Sequence, residues 1–222
     1  MLRIAILDDY QNVALELADW SPVLERATVI VFDDHLSDID EIVDRLRGFD
    51  VVCVMRERTP LTRDILERLS QLKLIVSTGP RNASIDVEAA AECGIEVLHT
   101  NYDSSPTVEL TWALILASAR NLTIETASVQ AGGWQRTVGD GLRGNVLGVL
   151  GLGNIGGEVA RIAGAFGMRV MAWSENLTPE RAAATGAKLV SRRELFHTQI
   201  FSRSIWSSVL GRGGWWGSLN SR

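Results

Sequence analysis

The chain has 222 residues, room for one large or two small domains, with 46% hydrophobic and 22% charged residues and a formal charge of −5. This is an ordinary globular composition, and its acidic balance argues against a nucleic-acid or membrane-surface role. No apolar run approaches the roughly 18 residues of a membrane span.

The first hundred residues alternate strand and helix patterns. Leu2–Leu7 reads as a strand ending at Asp8-Asp9-Tyr10, with no secretory leader before it, so a cytoplasmic location is expected. Asn12–Ala18 reads as helical and Thr28–Phe32 as a strand, while Ile39, Ile42, Val43 and Leu46 mark one helix face. Val51–Val54 is a strand, Thr62–Leu69 a helix behind Pro60, Leu74–Val76 a strand, Asp86–Cys93 a helix closed by Gly94, and Glu96–Leu98 a fifth strand. Short strands between helices that end in glycine are the pattern of βα repeats on a parallel sheet, so the fold class is α/β. Cys53 and Cys93 fall in a predicted strand and at a predicted helix end, as buried small apolar residues of a reducing compartment. With three scattered histidines and no CxxC or HxxxH spacing, no metal site is expected.

Ligands of such sheets bind at the carboxyl ends of the strands. Met55-Arg56-Glu57-Arg58-Thr59-Pro60 follows the third strand and Ser77-Thr78-Gly79-Pro80-Arg81-Asn82 the fourth. Arg56 and Arg81 are candidates for a carboxylate-bearing ligand, which a planar guanidinium can grip bidentately; the alternative is pairing with a surface acid such as Glu57. Ser105-Pro106 opens a long helix. Its body, Thr107–Arg120, is apolar almost all round and is therefore expected to be buried, with Glu109 suited to the first-turn dipole. Residues 123–144, richer in polar groups and glycine, read as a connector.

Val146–Leu150 is a short, β-branched-rich strand followed at once by Gly151-Leu-Gly153-Asn154-Ile155-Gly156, a helical run Glu158–Phe166 and a second strand Arg169–Trp173. Gly151 permits the tight turn, Gly153 lets a pyrophosphate approach the backbone, and Gly156 lets helix and strand lie close. The free N–H groups of the helix's first turn then face phosphates. In strand–turn–helix–strand context the motif is a dinucleotide-binding start.

Residues 1 to about 197 resemble the D-isomer-specific 2-hydroxyacid dehydrogenases. The resemblance rests on Arg56 with Thr59-Pro60-Leu61-Thr62, Ser77-Thr78-Gly79 leading to Ile85-Asp86, and Ile95–Leu98 before Asn101. Thr107-Val-Glu109-Leu-Thr-Trp-Ala-Leu and the run from Gly148 to Gly156 complete it. It implies a flavodoxin-like substrate domain, residues 1–102, and a Rossmann NAD(P)-binding domain of which residues 103–197 are the first half, with an active site in the cleft. It also implies hydride transfer between NAD(P) and a small 2-hydroxy or 2-keto acid, in a homodimer without nucleic-acid or membrane partners. Substrate-binding residues by this resemblance are Arg56, Gly79 and Arg81. Cofactor-binding residues are Thr107, Gly151, Gly153, Asn154, Ile155, Gly156, Ser174 and Glu175. In the family the turn at Gly79 holds the substrate carboxylate through backbone N–H groups. Here Pro80 has none, and the Arg81 side chain is expected to share the anchoring. The strand ending at Trp173 is followed by Ser174 where an acid to bind the ribose hydroxyls is expected, with Glu175 one place later and Arg181 nearby. NAD is the expected cofactor, with NADP open. An NAD(H)-sensing co-repressor-like protein and a formate or phosphonate dehydrogenase relative remain alternatives.

The family's chemistry needs an arginine, a histidine and a carboxylate from segments beyond the third cofactor strand, and no counterpart of these is found here. After Glu194 the chain has no acid and no lysine, and Phe201–Arg222 contains Trp206, Trp215 and Trp216 without period 2 or 3.6. Such a serine, glycine, arginine and tryptophan mixture is what GC-rich DNA yields out of frame. Pairing the third base of each codon with the next two allows Asp-Ile-Leu-Ser-Ile-His from Gln199 and Arg-Gly-Leu-Val-Gly further on, in the family's order. A frameshift near residue 198 is therefore expected, with 198–222 an out-of-frame tail and a chain that folds poorly and lacks dehydrogenase activity. An open reading frame after a one-base correction of the coding DNA is the check.

Overall fold

The computed structural model describes residues 1–197; the tail assigned above to a change of frame lies outside them. The chain divides into two compact units, Met1–Tyr102 and a second that begins at Asp103.

The first unit is a parallel five-stranded sheet built of β1 (Leu2–Ile6), β2 (Ala27–Val31), β3 (Val51–Val54), β4 (Leu74–Ser77) and β5 (Glu96–His99). Its order is β2-β1-β3-β4-β5, the flavodoxin-like arrangement. Helices α1 (Ser21–Leu24), α2 (Ile39–Leu46), α3 (Arg63–Glu67) and α4 (Val87–Glu92) connect the strands. α2 shows how the pattern becomes structure. Asp38 accepts hydrogen bonds from the N–H groups of Asp40 and Glu41, those two acids favour the positive end of the dipole, and Ile42, Val43 and Leu46 are buried. They join Val52, Val54, Leu61, Ile65, Leu66 and Ile75 in one apolar core.

The second unit begins with α5 (Ser105–Ala119) and α6 (Leu122–Gln130). β6 (Val146–Leu150), α7 (Asn154–Ala165), β7 (Arg169–Trp173), α8 (Pro179–Ala184), β8 (Ala187–Leu189) and α9 (Arg192–His197) follow. Its parallel sheet runs β6-β7-β8, the order of the first three strands of a Rossmann sheet. Strand alternation sends Leu147, Val149, Val170 and Ala172 into a core with α5 and α7. Met171 and Trp173 pack instead with Val190 and Leu195 of the opposite face.

Several sequence expectations change. Residues 12–18 form turns, not a helix, because Asn12 takes φ +53° and the Asp9 carboxylate accepts from Ala14 N–H, which fixes a turn there. Leu15 and Leu17 are accordingly exposed. The connector expected over 123–144 contains α6, and α7 starts at Asn154 rather than Glu158. Cys93 is exposed at the end of α4 instead of buried, whereas Cys53 is partly buried and desolvation raises its thiol pKa to about 11. α5 is not buried all round: Val108, Trp112, Ile115 and Ala119 face the core, while Leu110 is 61% exposed. Uniform apolarity carries no information about which face packs, and here only the stripe at helical spacing does.

Candidate anion and dinucleotide sites

In a sheet ordered 2-1-3-4-5 the strand order reverses between β1 and β3, and the crevice outside their carboxyl ends is the usual ligand position. Here that crevice is bridged by protein. Asp8, 1% exposed and at φ +59°, accepts hydrogen bonds from Thr59 Oγ1 at 2.7 Å and Tyr10 Oη at 3.4 Å. His35 Nδ1 lies 2.8 Å from Asp8 Oδ1, the oxygen that Tyr10 also reaches, while Thr59 takes Oδ2. Arg58 donates to the Asp8 carbonyl at 2.7 Å and lies over the Tyr10 ring. The sequence shows Asp8-Asp9 after a strand, a place to look for chemistry, but gives no sign that Thr59 is the partner.

The next strand ends, β3 and β4, bring Arg56 and Gly79 together. Arg56 takes φ +55°, a left-handed conformation uncommon for a long side chain. It is held there from both sides: its N–H donates to Thr78 Oγ1 at 3.0 Å and its carbonyl accepts from Asn82 Nδ2 at 2.6 Å. The guanidinium lies 4.9 Å from the Tyr102 ring centroid and over Gly79, where a Cβ would meet it. Backbone outliers held in place by their surroundings cluster at ligand clamps and active sites. Gly79 itself is at φ +93° and its N–H donates to Thr100 Oγ1 at 3.0 Å, so it is already engaged. An anion at this end therefore meets the Arg56 guanidinium, while the Gly79 N–H is already taken by Thr100. Arg81 is exposed in the loop after Gly79 and is not bonded to the Arg56 cluster. Asn82, Thr78, Thr100 and Tyr102 are the positions to which sequence alone gave no role.

In the second unit the glycine turn follows β6. Gly151 has φ +90° and its N–H donates to the Trp173 carbonyl, which ties the turn to the end of β7. A Cβ on Gly156 would run into the Gly151 carbonyl and lie 3.2 Å from Val149 Cγ1, so helix and strand touch there. Above Gly153 the space is open: nothing lies within 4 Å of where a Cβ would be. Gly153 is the N-cap residue of the twelve-residue α7, no side chain caps that end, and no acid occupies the first turn. The N–H groups around Asn154 and Ile155 thus face an open, uncharged cradle of the kind that receives a pyrophosphate. Ser174 follows Trp173 and its carbonyl accepts from Leu177 N–H; Glu175 is exposed beside it. Thr107, by contrast, sits in the first turn of α5, with its backbone bonded to Ser104 and Thr111 rather than to the glycine turn.

A flavodoxin-ordered unit with arginines at its strand ends, together with the opening strands of a Rossmann-type sheet, defines an α/β protein of two units. Residues 112–202 match the family described as D-isomer specific 2-hydroxyacid dehydrogenase, NAD binding domain. The chain is 36% identical over 193 residues to the D-3-phosphoglycerate dehydrogenase of Methanocaldococcus jannaschii, covering 86% of this chain and 35% of that protein. It is 37% identical over 174 residues to the hydroxypyruvate reductase of Thermotoga maritima, covering 77% and 55%. The crystal structure of phosphoglycerate oxidoreductase from Vibrio cholerae o395 superposes with a TM-score of 0.79 at 35% identity, over 90% of this chain and 64% of that one. Over most of its length the chain is similar to D-isomer-specific 2-hydroxyacid dehydrogenases, and its second unit matches the NAD-binding domain of that family. Its cofactor class is NAD(H), and it spans between about a third and just over half the length of these curated relatives.

Proposed function

We propose that this chain carries the substrate-side unit and the opening half of the cofactor unit of a dehydrogenase acting between NAD(H) and C2 of a small D-2-hydroxy or 2-keto acid. When bound, the nicotinamide supplies or accepts the hydride. The chain's own residues bind and orient. Gly151, Gly153 and Gly156 shape the pyrophosphate cradle, the N–H groups of Asn154 and Ile155 face it, and Ser174 and Glu175 border the adenosine ribose. Thr107 contributes from α5. Arg56, with Gly79 beneath it and Arg81 next in the loop, draws in the carboxylate of the acid.

The single observation that carries this reading is the uncapped start of α7 behind Gly153, open above and free of acids. The arginine, histidine and carboxylate that the family's chemistry requires have no counterparts assigned in residues 1–197. His35, the histidine beside a buried carboxylate, is committed to Asp8 in the first unit. Binding without turnover is the expected outcome. Titrating the full chain with NADH should quench or shift fluorescence saturably. Adding glyoxylate or hydroxypyruvate should leave NADH absorbance constant. Absence of saturable binding sinks the cofactor assignment, and steady NADH consumption sinks the assignment of inactivity.

For the homodimer that the family resemblance implies, we propose the face made by α5, α6 and residues 134–138. Leu110, Leu114, Ile124, Val129 and Trp134 are exposed there, Trp134 by 81%. Glu125 fixes that segment: it accepts from Thr137 Oγ1 and from the N–H groups of Arg136 and Thr137, and these bonds hold its carboxyl below the usual range. Trp134 stands beside a groove lined by Ile124, Ala127 and Ser128, so ridge and hollow share one patch, as a two-fold contact requires. Sedimentation of Trp134→Glu should show monomer where the parent shows dimer; equal sedimentation of the two rules out this face.

A further inference from the structure

The cofactor cradle ends, across the sheet, at the carboxyl end of β7, where the adenosine ribose lies in a dinucleotide fold. An acid there bonds both ribose hydroxyls and repels a 2′-phosphate, whereas an arginine receives it. In this chain the residue directly after Trp173 is Ser174, half-buried and uncharged. The following loop is short and closed on itself, with Leu177 N–H donating to the Ser174 carbonyl. Arg181 folds back over this loop: its Nη1 donates to the Asn176 carbonyl at 3.4 Å, and its backbone N–H bonds Thr178 Oγ1. A second cation, Arg192, has its guanidinium 5.8 Å from the ring centroid of Trp173.

The acids nearby do not cancel these charges. Glu180 is turned back on its own helix start, where its own N–H and Thr178 hold its carboxyl below the usual range. Glu194 lies on α9 and has interactions of its own. Glu175 is exposed, and neither Arg181 nor Arg192 forms an ion pair among the described residues. The strand end thus presents a small hydroxyl and a bent-back guanidinium where NAD-selective sheets present a carboxylate.

Building on the cofactor reading above, we propose that the ribose pocket at the end of β7 accepts a 2′-phosphate, with Arg181 its principal partner and Ser174 leaving room for it, so that the unit binds NADP(H) at least as tightly as NAD(H). Arg192 adds positive potential at the same strand end. Phosphate–guanidinium pairing is charge-assisted and can be bidentate, so the preference is sizeable and falls with added salt.

The test is equilibrium binding of 2′,5′-ADP and 5′-ADP to the full chain, which needs neither turnover nor the nicotinamide. The expected result is about tenfold tighter binding of 2′,5′-ADP at low salt, shrinking as salt rises. Arg181→Ala should erase that preference, weakening 2′,5′-ADP binding far more than 5′-ADP binding, and Arg192→Ala should reduce it by about two- to threefold. Ser174→Asp should reverse it in favour of 5′-ADP. Tighter 5′-ADP binding by the parent chain overturns the proposal while leaving the cofactor reading intact. A preference that survives Arg181→Ala overturns the assignment to that residue. Binding of neither nucleotide removes the cofactor reading and this inference with it.

Discussion

Replacing Gly156 with valine is expected to cost the second unit about 3 kcal/mol and to abolish saturable dinucleotide binding. Two effects act in the same direction. The new Cβ would occupy the space of the Gly151 carbonyl and press on Val149 Cγ1, a backbone atom and a buried side chain that have little freedom to yield. Relief requires α7 to move off β6, which pulls the N–H groups of its first turn away from the cradle and opens the core of Val149, Val159, Ala160 and Ala163. Gly157→Ala is the control. Its Cβ would meet only Thr185 Cγ2, at an ordinary 3.5 Å, and alanine is the better helix former by about 1 kcal/mol. That variant should therefore bind normally and melt at the same or slightly higher denaturant. Urea unfolding followed by circular dichroism, with a parallel NADH titration, reads both effects. If Gly156→Val melts like the parent and still binds, the close contact carries neither the fold nor the site.

The same glycine turn shows how far the sequence alone could go. Val146–Leu150, the spaced glycines and Arg169–Trp173 are contiguous, each constrained by its neighbours in the chain, and the structure keeps both strands within those bounds. The start of α7 was misplaced because glycines rank low as helix formers, yet Gly156 and Gly157 lie inside it. Features that depend on distant partners were not legible. Nothing around Asp8 announces Thr59, 51 positions away, as the hydroxyl that meets its carboxylate. Nothing in Gly79-Pro80-Arg81 says that Thr100 takes the Gly79 N–H, or that Tyr102 underlies Arg56. The Asn12–Ala18 pattern failed for a local reason, since side-chain acceptors such as Asp9 offer the backbone a turn that competes with a short helix. Periodicity thus fixed the order of elements, and side-chain bonding across the sheet fixed the sites.

That distinction makes Asp8 the sharper probe of the first unit, and Asp8→Ala is expected to destabilise it by about 3–4 kcal/mol. Hydrogen bonds to a charged group are worth roughly 1.5–3 kcal/mol, and removing the carboxylate strands Thr59 Oγ1 in a buried position. Alanine must in addition hold φ near +59°, a conformation that costs a residue with a Cβ roughly 1–2 kcal/mol. Asp8→Gly removes the same bonds without that strain, so it should lie about 1 kcal/mol above Asp8→Ala but still well below the parent. Asp8→Asn keeps an acceptor for Thr59 and tolerates the left-handed backbone, and it should lose least. The ranking parent, Asn, Gly, Ala separates bonding from backbone strain in one series of urea melts. The consequence reaches the candidate anion site: Thr59 closes the loop whose other residues include Arg56, and Arg58 of that loop bonds the Asp8 carbonyl. Losing the Thr59 bond leaves the loop tied to the Asp8 end only through Arg58 and the Asp8 carbonyl, while Thr78 and Asn82 still hold Arg56 from the β4 side. Amide exchange of residues 55–59 should accordingly speed up in Asp8→Gly while β4 stays protected. A glycine variant as stable and as protected as the parent would show that the buried carboxylate merely fills space, and that the strained Arg56 loop does not depend on its bond to Thr59.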